Sequence, residues 1–325
     1  MKNIIYLNNS IHYNKMNIES LQKAGSFHHE IKEKVIKQVK YTNDLQSLCN
    51  FIENEIKWYS SNDETNHGIA FPVGLNKNEV VAHYNPLKTE PNIIFDLDID
   101  ILKIDYGVHI NGNIVDEAFS VTNNPKLFPL MNSSKDALRN MIKELRPDTR
   151  ICSLGEICEE IVKSYEIEVR PGLFVPVKPI NNVTGHTIDP WNIHGNKMVY
   201  NINNNSTNIV EENETYALEV YTTDGTGTSM MDTTHISHYS VINNNNKERL
   251  NSDSLVFLDY LNTQFRGLAF SPRQINYNNH LELIENLYNN NNIKKYPVLV
   301  EPLCIAHVAQ FEKTIYVGDS QSIVI

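Results

Sequence analysis

The run Lys103-Ile104-Asp105-Tyr106-Gly107-Val108-His109-Ile110-Asn111-Gly112-Asn113-Ile114-Val115-Asp116 decides the reading of the fold. Asn and Gly both tolerate positive φ, so Asn111-Gly112 between two apolar, β-branched runs predicts a hairpin with arms Ile101–Ile110 and Ile114–Val121. With a two-residue loop at 111–112, residue 105 pairs with residue 118, and Asp116 becomes the diagonal neighbour of Asp105 on the same face. Diagonal partners stand about 7–8 Å apart at the backbone, so two carboxylates can converge on a shared cation. Taken alone, a pair of strand carboxylates facing solvent is the commoner arrangement.

Upstream of the hairpin, Ile18, Leu21, Ala24, Phe27, Ile31 and Val35 recur at three- and four-residue steps and predict an amphipathic helix. A second such helix is expected from about Leu45 to Ile56. The same order returns later in the chain. Ile36-Lys37-Gln38-Val39-Lys40 is echoed by Ile142-Lys143-Glu144-Leu145-Arg146. At the same offset Leu45, Ser47, Leu48, Phe51 and Glu53 fall on Ile151, Ser153, Leu154, Ile157 and Glu159. Ser153 and Glu156 read as a capping box opening a helix to about Tyr165. With small shifts His83 falls near His186, and Asp105 near Glu219. Chance similarity competes with duplication, but helix, helix, histidine and strand carboxylate recur in order. The expected fold is therefore α+β, with halves at about 17–128 and 129–325 facing each other behind a short N-terminal extension, 1–16.

Composition sets the class. The chain is 41% hydrophobic and 21% charged, as globular proteins are, and its net charge of -11 argues against a nucleic-acid partner. The apolar run Ile4–Leu7 is too short for a signal-peptide core, and no stretch approaches the ~18 apolar residues of a membrane span. A cytoplasmic protein with no membrane partner is expected. Cys49, Cys152, Cys158 and Cys304 show no metal or redox spacing and read as reduced core thiols. The asparagine runs at 203–205, 243–246 and 289–292 read as enlarged surface loops.

Three further residues change the odds at Asp105 and Asp116. His186 follows Gly185, Glu219 follows Tyr216-Ala217-Leu218, and Glu312 follows Ala309-Gln310-Phe311. Both glutamates interrupt strand-like apolar segments, where an unpaired carboxylate is costly to bury. His186 on its own reads equally as a core histidine. Together, four carboxylates and one imidazole suit two divalent cations about 3.5–4 Å apart, and so metal-assisted hydrolysis.

These segments resemble the methionine aminopeptidase family of the pita-bread fold, whose ligands run Asp, Asp, His, Glu, Glu. The matching stretches are Lys103–Gly107, Ile114–Asp116, Gly185-His186, Tyr216–Glu219 and Ala309–Glu312, with ten residues between the aspartates. Phe71–Gly74 and Val81–Pro86 match the segment of the family's active-site histidine, and the likeness runs from about Asn17 to Thr314. The long gap between Glu219 and Glu312 resembles the type 2 branch, which carries a helical insertion, here about 240–295. Thr184 stands where type 2 enzymes carry Asn, and the charged N-terminal extension of many eukaryotic members is missing.

The resemblance implies two pseudo-symmetric halves around a curved antiparallel sheet. It also implies that Asp105, Asp116, His186, Glu219 and Glu312 ligate two divalent metal ions; cobalt, manganese, iron and zinc all suit. Glu219 would also act as general base. His83 and His194 would contact the scissile carbonyl and the substrate backbone, His83 being the histidine that fumagillin-type spiroepoxides alkylate. Phe71, Ile193, His238, Ala269 and Tyr296 would wall a methionine pocket, although ordinary core packing explains each nearly as well. The implied activity is removal of the initiator methionine from nascent polypeptide N-termini when the second residue is small. A monomer is expected, and ribosome association is compatible with such a substrate. Two rivals stand beside this reading. A prolidase or X-Pro aminopeptidase shares the ligand order but usually adds a large N-terminal domain. A non-catalytic relative binding RNA or protein tends to be basic and to have lost ligands.

Overall fold

A computed structural model describes residues 16–61, 66–242 and 247–325; the asparagine run at 243–246 and all but the last residue of the 1–16 extension lie outside the described residues. The chain opens with α1 (Ile18–Gln38) and α2 (Leu45–Ser61). Strands β1 (His67–Lys77), β2 (Val80–Ala82), β3 (Leu102–Ile110) and β4 (Asn113–Val121) follow. Next come α3 (Phe128–Glu144), α4 (Ile151–Lys163), β5 (Glu166–Arg170), β6 (Leu173–Pro176), β7 (Lys178–Pro179), β8 (Thr184–Ile188), β9 (Met198–Tyr200) and β10 (Thr215–Thr223). The remainder is β11 (Met230–Val241), α5 (Ser252–Phe265), α6 (His280–Asn289), β12 (Ile293–Val300), β13 (Val308–Val317) and β14 (Ser322–Val324).

The β3–β4 hairpin turns at Asn111 (φ 52°) and Gly112 (φ 81°), both in the left-handed region that a two-residue turn demands. Asp105 lies opposite Ala118 and Gly107 opposite Asp116, so the aspartates are diagonal neighbours as the turn arithmetic requires. Helix α1 is capped by Asn17, whose side chain accepts the Ser20 N–H at 2.9 Å. The Asn17 N–H in turn donates to Asn113 Oδ1 at 2.8 Å, pinning the helix start to the hairpin. The apolar stripe of α1 and Leu45, Leu48, Ile52 and Ile56 of α2 pack on the sheet β1-β3-β4. Each fully buried Leu or Ile there contributes ~1.5–3 kcal/mol.

Helices α3 and α4 cover the second sheet in the same way, with Leu130, Met141, Leu154 and Val162 against Tyr216, Leu218 and Ile315. Its strands run β14-β13-β10-β8-β9, all antiparallel. The two sheets meet along β4 and β13, where hydroxyls bridge the strands. Asp116 N–H donates to Thr314 Oγ1, which donates back to Asp116 O, both at 2.8 Å. Gln310 N–H donates to Ser120 Oγ at 2.8 Å, and that hydroxyl donates to Gln310 O at 2.9 Å. A third sheet, β11-β12-β2, carries α5 and α6 over a core of Phe257, Leu261, Phe270, Ile284 and Leu287.

Three local expectations are corrected. Helix α4 starts at Ile151 with no side-chain cap, and Ser153 sits inside its first turn, donating back to Arg150 O at 2.7 Å, so no Ser153–Glu156 capping box forms. Burial of Ile151 and its N–H bond to Asn208 O at 2.9 Å set the helix start instead. Only Cys49 and Cys158 are core thiols, both pushed up by burial, whereas Cys152 is half-buried and Cys304 exposed in the turn before β13. Of the asparagine runs, 203–205 lies in a loop, but 289–292 is a helix stop. Asn291 turns with φ 57°, and Asn292 is buried with its N–H on Leu287 O at 2.9 Å.

Candidate active site

The junction of the two sheets gathers one side chain from each of five strands. Asp105 comes from β3, Asp116 from β4, His186 from β8, Glu219 from β10 and Glu312 from β13. Glu219 and Glu312 are direct cross-strand partners, and His186 pairs with Ala217 two residues from Glu219. One carboxylate oxygen each of Asp105, Asp116 and Glu312 lie within 4.8 Å of one another. His186 Nε2 is 3.9 Å from Asp116 Oδ2 and 3.9 Å from Glu219 Oε1.

Burial and crowding perturb every one of these groups. Burial pushes Asp105 up to about 7, against the pull of the Gln310 amide. Burial and then the Asp105 charge push Glu219 up to about 8. Asp116 and Glu312 are held well above the usual carboxylate range by burial and by the other carboxylates. Burial lowers His186 to about 4, so its ring is neutral at physiological pH. Its Nδ1 lies 3.2 Å from Thr187 O. A carbonyl can only accept, so the proton belongs on Nδ1 and the Nε2 lone pair faces Asp116 and Glu219. Asp105 Oδ1 is also buried without a hydrogen-bond partner among the described residues. Lone pairs and like charges that converge in this way fit divalent cations, and the mixture of carboxylates with one imidazole suits a first-row metal.

A cleft of about 850 Å³ opens above this floor, a size typical of ligand sites. His83, at the end of β2, has φ 68° and its Nδ1 3.2 Å from Pro297 O, so its Nε2 carries the lone pair. The exposed His194 stacks edge-on to His186 with centroids 4.4 Å apart. Phe71, Ile193, His238, Ala269 and Tyr296 all line the cleft. Phe71 lies across β3 from Gly107, where a Cβ would sit 2.2 Å from the Phe71 ring. Glycine at that position is what lets the aromatic ring reach the cleft wall.

Four contributing residues escaped the sequence reading. Gln310 Nε2 donates to Asp105 Oδ2 at 3.3 Å, Glu312 Oε2 at 3.3 Å and the Tyr221 hydroxyl at 2.8 Å. Tyr221 in turn donates to Glu219. The period of two along a strand was the available signal, since Gln310 and Tyr221 each stand two residues from a glutamate. Asn85 and Ser237 support His83 from behind. Asn85 N–H donates to Ser237 Oγ at 3.1 Å, and that hydroxyl donates to His83 O at 3.1 Å. Their contact crosses 152 residues and left no local pattern.

Two antiparallel sheets backed by helix pairs, with carboxylates and an imidazole on the floor of one cleft, define a metal-dependent hydrolase of the pita-bread class. The profile of metallopeptidase family M24 matches residues 19–238, and the chain belongs to that family. It is 33% identical over 310 residues to methionine aminopeptidase 2-2 of Chaetomium globosum, covering 92% of this chain and 70% of that relative. Likeness of fold alone extends to a thermophilic Arx1, with TM-score 0.78, 16% identity, and 95% and 91% of the two chains covered. It extends also to a methionine aminopeptidase from Thermotoga maritima, with TM-score 0.61, 14% identity, and 96% and 98% covered.

Proposed function

We propose that the chain is a type 2 methionine aminopeptidase, removing the initiator methionine from nascent polypeptide N-termini by two-metal hydrolysis. The convergence of Asp105, Asp116, His186, Glu219 and Glu312 on one buried floor carries the reading. These residues would hold two divalent cations (cobalt, manganese, iron or zinc), which supply an acidified water and a Lewis acid for the scissile carbonyl.

The remaining work falls to the protein. Glu219, oriented by the Tyr221 hydroxyl, suits the role of proton acceptor. His83 presents Nε2 as an acceptor and so suits a backbone N–H of the substrate rather than its carbonyl oxygen. His194, edge-on to His186, is placed to meet the carbonyl side. Phe71, Ile193, His238, Ala269 and Tyr296 form the slot for the flexible thioether.

Metal content and methionine release, measured on protein purified without added ions, test the reading. Met-Ala-Ser is expected to be cleaved and Ala-Pro spared. Faster hydrolysis of Ala-Pro, or no metal-dependent hydrolysis of either peptide, overturns it.

A further inference from the structure

The rim of the cleft carries a charge pattern that the chemistry at its floor does not use. Lys294 and Arg266 both line the cleft, and both are exposed. Lys294 stands two residues before Tyr296 on β12, hence on the same strand face, with Nζ 4.5 Å from the centre of the Tyr296 ring. Lys295, on the opposite face, pairs instead with Glu285 at 2.6 Å. From another wall Arg266, the left-handed cap of α5 with φ 50°, places its guanidinium 5.1 Å from the Trp191 ring centre. Trp191 also lines the cleft.

Among the described residues neither Lys294 nor Arg266 has a carboxylate within ion-pair distance, whereas Lys32, Lys34, Lys77, Lys197 and Lys313 all do. The carboxylates lining the cleft are Asp105, Asp116, Glu219 and Glu312, all on the floor. In a chain of net charge -11, two cations without a carboxylate partner at the exposed edge of one cleft stand out. The aromatic ring under each cation limits its freedom, which reduces the entropy lost on meeting an anion.

We propose that Lys294 and Arg266 form a rim subsite selecting peptides with an acidic side chain at the third to fifth residue. The inference rests on the aminopeptidase reading above. A peptide with its first residue at the floor leaves through the mouth, and an extended chain advances at most ~3.3–3.6 Å per residue. Residues beyond the second therefore lead out past the rim, and the subsite is assigned to the third to fifth residues of the peptide. Exposed ion pairs of this kind change affinity by roughly two- to fivefold per charge, less at high salt.

The test uses peptides Met-Ala-Xaa-Ser-Gly and Met-Ala-Ser-Xaa-Gly, with Xaa Asp, Asn or Lys, and the Asn peptides as neutral reference. Wild type is expected to favour Asp over Lys by roughly tenfold in kcat/KM at low salt, two charge steps combined. The ratio falls toward one in high salt, in the double variant Lys294→Gln, Arg266→Gln and in Lys294→Glu, and inverts in the double variant Lys294→Glu, Arg266→Glu. Fluorescence anisotropy with labelled Asp and Lys peptides reads the same ranking without turnover. Equal treatment of Asp and Lys by wild type in both assays, or a ratio that the substitutions do not move, overturns the subsite. Failure to release methionine from the Asn peptides overturns the aminopeptidase reading instead, and the anisotropy still decides the rim.

Discussion

Glu219 and Glu312 face each other directly across the β10–β13 pair on a buried strand face. Like charges directly opposite destabilise a sheet, and burial adds to the cost. The arrangement is tolerable only if bound protons or a cation offset the charges. Glu219→Gln and Asp116→Asn should each lower turnover by at least about 100-fold, more than loss of an outer-shell partner does. Above about pH 8, where the metal-free Glu219 carboxyl is ionised, the metal-free Glu219→Gln protein should melt at or above wild type, because one repelling charge is gone. A divalent cation at 100 times its Kd should stabilise wild type by ~2.7 kcal/mol and the variants by less. Near-native turnover in either variant, freed of wild-type contaminant, removes the site assignment.

His83 holds its Nδ1 on the Pro297 carbonyl and so turns a lone pair into the cleft. That geometry suits a nucleophile for an electrophilic spiroepoxide of the fumagillin type. A covalent adduct on His83, with loss of activity and no adduct in His83→Ala, is expected from intact mass and peptide mapping. Thr184 also lines the cleft and should slow the reaction without abolishing it. An adduct mapped to His194 or His238 would contradict the assignment.

The first two helices and the hairpin were legible because each is decided locally. A 3.6-residue stripe and an Asn-Gly turn need no tertiary information, and the register of Asp105 against Ala118 follows from turn length alone. The start of α4 was not legible, because a bond to Asn208 and the burial of Ile151 override the capping preference of Ser153. At the site, the charged ligands stood out against apolar strands. Gln310, Tyr221, Asn85 and Ser237 did not, since a polar neutral residue in a strand is common and its partner lies far along the chain.

Ser237 links the strained His83 backbone to Asn85, and Asn85 is itself anchored on Val73 O at 2.8 Å and Ser271 Oγ at 2.7 Å. Ser237→Ala should cost ~0.5–1.5 kcal/mol of stability. If the hydroxyl positions His83, kcat/KM falls by about tenfold or more and spiroepoxide alkylation slows in parallel. The metal-induced rise in Tm should not change. A stability loss with unaltered alkylation rate would reduce Ser237 to a packing role.

Gly107 leaves room for Phe71, and a methyl group there would overlap the ring. Gly107→Ala should destabilise by ~1–3 kcal/mol through overpacking. It should also displace Phe71 from the cleft wall, so that the preference for methionine over leucine at the first position narrows. A folded variant with unchanged Tm and unchanged Met/Leu ratio would remove Phe71 from the pocket.

Specificity at the two ends of the scissile bond has different physical origins. The first side chain meets an apolar slot made in part by Phe71, Ile193 and His238, and such a slot discriminates by only ~1–3 kcal/mol per methylene. Methionine should therefore lead leucine and alanine without excluding them. The second side chain sits where His83, His194 and the ligand cluster crowd the floor, so its size decides. Met-Xaa-Ser peptides with Gly, Ala, Ser, Thr or Val at Xaa should be cleaved, and those with Lys or Phe refused. Steric refusal is insensitive to salt, so refusal of Lys at Xaa that persists at high salt assigns it to size rather than to charge. Efficient release of methionine before Phe at either salt concentration would contradict a size filter at the floor and with it the initiator-methionine reading.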